Sequence, residues 1–196
     1  MSVDIDLQQR LDYLIERLRS TYDGIGHSSG RPYVYFVYHP ADESQMRRLA
    51  NEQLVSDTQL TFHTIDVLRI TIDSLVGQEE QRQKLLNDPR KTGSSSGIVR
   101  LWARRIITAI NKCLENTQEG ERPVIVLQGL AALHPLGNPT ALMEFLAEQE
   151  PRHPITGTIV PVVLFIPGTR PPQTSRVYLF LDQEKLRLTF YRGEEM

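Results

Sequence analysis

The chain alternates between stretches with helical apolar spacing and short, almost wholly apolar runs. Leu7, Leu11, Leu14, Ile15 and Leu18 predict an amphipathic helix over about residues 4–20. A loop at Gly24–Gly30 ends it. Tyr33–Tyr38 is a continuous β-branched and aromatic run, which predicts a strand buried on both faces. His39-Pro40-Ala41 closes that strand, and Asp42 is placed to cap a helix carrying Met46, Leu49, Ala50 and Leu54. A second strand is expected at Thr61–Val67, followed by a helix at Leu68–Leu75.

Residues Gln78–Gly97 show little apolar periodicity and are expected to be a flexible polar insertion, with Lys91–Gly97 as a mobile loop. Ile98, Leu101, Trp102, Ile106, Ile110 and Leu114 mark the strongest helix. Pro123–Leu127 is the third strand, and Asn138-Pro139 supplies a cap and a first-turn proline for a helix with Leu142, Phe145 and Leu146. Val160–Ile166, closed by Pro167-Gly168, is the fourth strand. Val177–Leu181 and Leu186–Tyr191 predict a hairpin turning around Asp182-Gln183-Glu184.

Apolar strands alternating with helices predict an α/β fold. The expectation is a single domain over 1–196, built as a three-layer sandwich. Its sheet is mostly parallel, with helices on both faces and a C-terminal edge hairpin. In outline it resembles a P-loop-type fold without Walker motifs.

Composition narrows the chemistry. The 196 residues carry a formal charge of −2 and one cysteine, Cys113. Such a balance argues against a dominant nucleic-acid-binding role. A single cysteine fits a reducing cytoplasm, and no apolar run approaches the roughly 20 residues that span a bilayer. MSVDIDLQQR has no apolar signal-peptide core, so a soluble cytoplasmic protein is expected.

Four of the 22 basic residues are lysines (Lys84, Lys91, Lys112, Lys185) and the rest are arginines. None of these lysines follows a glycine, so the Walker lysine is missing, and Gln128 stands where a Walker B strand would end in aspartate. No lysine has Asp or Glu two residues upstream, which removes the Asp/Glu-x-Lys nuclease element. Gly93-Ser94-Ser95-Ser96-Gly97 matches Gly-x-Ser-x-Gly in letters but follows no strand. His39, His134 and His153 each precede proline and read as turn residues bonded to backbone; the alternative is a metal or acid–base pair at the strand ends. Hence no catalytic residue, metal ligand or cofactor is assigned.

Four segments carry a family resemblance. They are Val37–Glu43, Thr64–Val67, Val124–Gly129 with His134-Pro135-Leu136, and Val160–Gly168 with the closing Phe190-Tyr191-Arg192. In this order they resemble BrxB, a small component of BREX bacteriophage-exclusion systems. The resemblance implies a non-enzymatic adaptor in phage defence. Its partner would be the alkaline-phosphatase-like protein PglZ, within an assembly that also holds a methyltransferase and an ATPase. Candidate partner-binding residues are Arg100, Trp102 and Arg104 on the long helix, and Tyr178, Phe180, Tyr191 and Arg192 around the hairpin. The residues leave two other readings open. One is a nucleotide- or phosphate-binding protein without hydrolysis, using His39, Gln128 and Pro167-Gly168; the other is an accessory factor touching DNA through its arginine pairs.

Overall fold

The computed structural model describes residues 2–25, 32–74, 76–77, 79–87, 95–172 and 176–195. Among them, five parallel strands form the main sheet: β1 (Tyr33–Tyr38), β2 (Thr61–Asp66), β3 (Pro123–Gln128), β4 (Val162–Thr169) and β7 (Gly193–Glu195). Their spatial order is β2-β3-β4-β1-β7. Two further strands, β5 (Val177–Phe180) and β6 (Arg187–Thr189), form an antiparallel hairpin on the end of β4, through Gly168–Phe180 and Thr169–Leu179.

Helices cover both faces, as the apolar strands require. On one face α1 (Ser2–Thr21) and α2 (Glu43–Val55) pack Leu11, Leu14, Leu18, Met46 and Leu49 against Val34, Phe36, Val126 and Phe165. On the other, α3 (Val67–Ser74), α5 (Ser95–Leu114) and α6 (Pro139–Leu146) pack against Tyr35, Val37, Leu127 and Leu164. A short helix, α4 (Glu79–Asn87), lies between α3 and α5 in the chain. The α/β class, the parallel sheet and the two helical layers are those expected from the pattern.

Several boundaries differ, each for a physical reason. Segment 78–97, expected as a polar insertion without regular elements of its own, holds α4 and the start of α5. Helix propensity, with Glu79 and Glu80 in the first turn and Lys84 in the last, stabilises α4 without apolar periodicity. Of the expected mobile loop, residues 91–94 lie outside the described residues, as do 26–30 of the loop after α1. Asp42 sits at the start of α2 but makes no capping bond; instead His39 Nδ1 accepts from the Ala41 amide at 3.2 Å and caps the preceding 3-10 turn. Asn138 behaves as expected, accepting from the Ala141 amide at 2.9 Å with Pro139 beginning α6. Strand β4 runs through Pro167 and Gly168 because β5 crosses there: a Cβ on Gly168 would stand 2.5 Å from the Leu179 carbonyl oxygen.

A long-range ion pair ties α1 to the turn before β2. Asp57 is buried and accepts from Arg19 Nε at 3.1 Å, from Arg19 Nη2 at 2.5 Å, and from the amides of Gln59 and Leu60 at 2.8 Å. Burial alone would raise the Asp57 pKa, but the Leu60 amide, Arg19 and the Gln59 amide outweigh it and hold the carboxyl below its usual range. A carboxylate held this way adds stability above its unfolded pKa of about 3.9, and loses it as pH falls below that value. Arg19→Ala should therefore lower unfolding free energy by about 2 kcal/mol at neutral pH. Urea melts at pH 7 and pH 3 test this: the deficit should shrink in acid, and an equal deficit at both would contradict the ion-pair account.

Candidate functional site

At the carboxyl ends of β1 and β4 opens a cleft of about 960 Å³. Open α/β sheets characteristically bind ligands at this end, and the volume lies within the ligand-pocket range of roughly 300–1,000 Å³. Its floor is formed by Val37, Tyr38, His39 and Gly168, its sides by Thr169, Thr189 and Phe190. Arg10, Arg170, Arg176 and Arg192 reach it from four separate parts of the chain, and Glu194 and Glu195 of β7 complete the lining.

The sequence builds this cleft by pinning the C-terminal strand to β1. Tyr35, Tyr178 and Phe190 form an aromatic cluster, with Phe190 5.2 Å from Tyr35 edge-on and stacked 5.1 Å from Tyr178. The Tyr35 hydroxyl donates to the Tyr191 carbonyl at 3.0 Å. Strand β7 then runs beside β1 in the register Tyr33–Gly193 to Tyr35–Glu195. This approach requires glycine: a Cβ on Gly193 would meet Tyr35 Cε2 at 2.4 Å and the Tyr33 carbonyl oxygen at 2.6 Å. Just before it, Arg192 holds a left-handed backbone (φ 46°), a conformation costing on the order of 1 kcal/mol for a residue with a side chain. Leu181 and Asp182, in the turn after β5, are left-handed as well (φ 56° and 57°).

Most of the cleft's arginines are already oriented. Arg10 donates to the Val37 carbonyl at 2.6 Å and lies 4.8 Å over the Phe36 ring. Arg192 donates to Glu150 at 2.7 Å, and Arg170 Nε is 2.8 Å from Glu195 Oε2. That last contact is an ion pair without hydrogen-bond geometry, leaving this carboxylate oxygen buried and without a hydrogen-bond donor. Burial pushes the Glu195 carboxyl above its usual pKa, and Arg170 and Arg10 offset only part of the shift. Arg176 is exposed, lines the cleft, and is held by no side-chain hydrogen bond or ion pair among the described residues.

The polar groups at the rim are not arranged for nucleophilic chemistry. Thr169 donates to Asp182 at 2.6 Å, and His39 Nε2 lies 4.0 Å from the other oxygen of the same carboxylate. The acid thus stands between hydroxyl and imidazole, whereas an activated nucleophile needs the base beside it. Beyond the rim, Glu43 accepts from Tyr38 and, at 2.8 Å, from Arg47, which also donates to Asp66 at 3.1 Å. Gly129 (φ 74°) closes against this network, since a Cβ there would meet Arg47 and Asp66 within 2.8 Å. These groups satisfy one another and fasten α2 to the ends of β1 and β2.

The sequence-predicted partner residues divide. Trp102, Tyr178 and Phe180 are core residues and present no docking surface: all three are 1% exposed or less, and the Trp102 indole donates to Ser74 Oγ at 2.9 Å. Size and aromaticity suited them to either place, and burial of their large apolar area decides for the interior. Arg100 and Arg104 line a 300 Å³ groove between α5 and α6, where Arg100 lies 5.1 Å over Phe145. Tyr191 is half-buried, and Arg192 faces the large cleft. Arg10, Arg170 and Arg176 were missed. They sit in unrelated segments with no shared motif, and only the fold brings them together.

The histidines flanked by proline are backbone-bonded turn residues where their contacts are defined. His39 accepts from Ala41, and buried His153 accepts from the amides of Ile155 and Thr156 at 3.2 and 3.3 Å. No cluster of metal-ligating side chains occurs among the described residues, and no helix among them is long and apolar enough to cross a membrane. Outside the cleft, α3 carries Leu68 and Ile72 at 42% and 53% exposure, continued by Val76 at 72%.

Because β7 must approach β1 closely, Gly193→Ala should cost about 1–3 kcal/mol through overpacking. Gly97→Ala, on an exposed helical position with open space around it, should instead be neutral or stabilising by up to about 1 kcal/mol. Urea midpoints of the two variants check the contrast, and equal midpoints would refute it. No protein-family model, curated protein or solved structure matches this chain.

Proposed function

We propose that the protein acts by binding, as an interaction subunit of a BREX-type phage-defence assembly in the cytoplasm, and that its principal partner is a PglZ-like protein of the alkaline-phosphatase superfamily. The name of the system rests on the resemblance carried by Val37–Glu43, Thr64–Val67, Val124–Gly129 with His134-Pro135-Leu136, and Val160–Gly168 with Phe190-Tyr191-Arg192. The single observation that supports a docking role is the stripe Leu68, Ile72 and Val76. Leu68 and Ile72 lie one turn apart on the same face of α3, Val76 follows just beyond its end, and all three are 42–72% exposed. Exposed apolar side chains grouped in this way are a usual mark of a protein interface. The stripe follows directly on β2, an edge strand of the sheet whose outer side has no strand partner among the described residues.

In this reading the stripe packs against the partner, and the methyltransferase and ATPase subunits are reached through that partner. Direct contact with DNA is not favoured at a net charge of −2.

Ile72→Asp tests the proposal. A charge in the middle of a buried interface typically costs several kcal/mol. Capture of the PglZ-like protein at micromolar concentration should therefore be lost, with the melting temperature unchanged. Val55→Asp, at an 85% exposed site on the opposite helical layer, should bind as the parent does. If the parent chain forms no complex in size-exclusion chromatography, or if Ile72→Asp binds normally, the proposal fails.

A further inference from the structure

We propose that the cleft at the carboxyl ends of β1 and β4 binds a phosphate-bearing small molecule, with Arg176 and Arg10 supplying the charge and Arg170 and Arg192 the flanking donors. Every cation on its lining is arginine and none is lysine. Arginine offers a planar fork of N–H groups that matches two oxygens of a phosphate at once, whereas lysine offers only a point charge.

Charge balance identifies the ligand class. Both carboxylates on the lining are engaged: Glu194 by Arg17 at 3.1 Å, and Glu195 by Arg170 at 2.8 Å. Arg192 is engaged by Glu150. That leaves Arg10 and Arg176 in no close ion pair among the described residues, with the charge of Glu195 reaching Arg10 only at longer range. Four arginines against two glutamates leave the lining with two positive charges in excess, which suits a phosphate dianion, while a single carboxylate would leave one unmatched.

Pre-organisation points the same way. Arg10 is fixed through one nitrogen by the Val37 carbonyl and by Phe36, Arg170 by Glu195, and Arg192 by Glu150. A guanidinium has five N–H donors, so each of these contacts leaves others to point at a ligand. Arginines held beforehand lose less side-chain entropy on binding. Phe190 and Tyr38 add apolar surface beside the charges, and the cleft is large enough for a group as big as a nucleoside next to the phosphate.

The site is independent of the partner reading, because α3 contributes no residue to the cleft. The full chain is titrated with pyrophosphate, ATP, adenosine and citrate at constant ionic strength, following melting temperature and calorimetric heat. Pyrophosphate and ATP should raise the melting temperature at about 10 mM, a clear effect for a Kd near 1 mM. Equal affinities would assign recognition to the phosphates alone; tighter binding of ATP would add the nucleoside as a recognised element. Arg176→Ala removes no side-chain hydrogen bond or ion pair among the described residues, so it should fold normally and weaken pyrophosphate binding about tenfold or more, about 1.4 kcal/mol. Arg176→Lys should fall between the two, and Arg104→Ala, in the other groove, should bind normally. The proposal is overturned if neither phosphate compound binds, if citrate binds as well as pyrophosphate, or if Arg176→Ala together with Arg170→Gln leaves affinity unchanged. Ile72→Asp should retain phosphate binding, which separates failure of this site from failure of partner docking.

Discussion

Six consecutive residues of β1 are buried and send alternate side chains into two different cores. Tyr33, Tyr35 and Val37 pack under α5 and α6, while Val34, Phe36 and Tyr38 pack under α1 and α2. The same strand bonds to β4 on one side and β7 on the other. Strands β3 and β4 also feed both cores, and among the described residues it is β1 that carries this pairing on to β7 at the edge of the sheet. A polar residue anywhere in this run would face one core or the other without water, at a cost of several kcal/mol. The apolar sequence of β1 is therefore fixed by two environments at once, and the placement of the remaining elements follows from it.

Function inherits this arrangement. Because β1 and β4 are neighbours and both point their carboxyl ends the same way, the segments leaving them line a common cleft. The aromatic cluster of Tyr35, Tyr178 and Phe190 ties the chain returning as β7 to this end of the sheet. Three of the cleft's arginines, Arg10, Arg170 and Arg192, are oriented by partners within the chain. Charge oriented beforehand is suited to binding, since less order remains to be imposed when a ligand arrives.

Much of the fold was legible in the sequence, because β1, β3 and β4 are apolar enough to announce buried parallel strands and α1 and α5 carry long periodic stripes. The turn signal Asn138-Pro139 was equally plain, since its chemistry is local. What escaped was decided by tertiary pairing. Gly193-Glu194-Glu195 has no strand character of its own and becomes β7 only because β1 offers an edge. Likewise Pro167-Gly168 reads as a stop until β5 pairs across it. The cleft was legible only at Arg192, Pro167-Gly168 and His39, since Arg10 lies more than 150 residues from Arg170 and Arg176 along the chain. Aromatic residues misled in the opposite direction: Trp102, Tyr178 and Phe180 have the composition of an interface and the burial of a core.

The shortness of β7 has a consequence for how the molecule coexists with its own copies. Strand β7 pairs only with Tyr33–Tyr35, so the outer edge of Phe36–Tyr38 has no strand partner among the described residues. A bare strand edge is a template on which another chain can build. Here the guanidinium of Arg10 occupies it, spending an N–H on the Val37 carbonyl and spreading over Phe36. A carbonyl already bonded and covered by a guanidinium is a poor acceptor for a foreign strand, and a charge at that position disfavours an apolar one. In a crowded cell, one side chain on the first helix thus works as a guard against edge-to-edge aggregation, at a strand whose six residues are all buried.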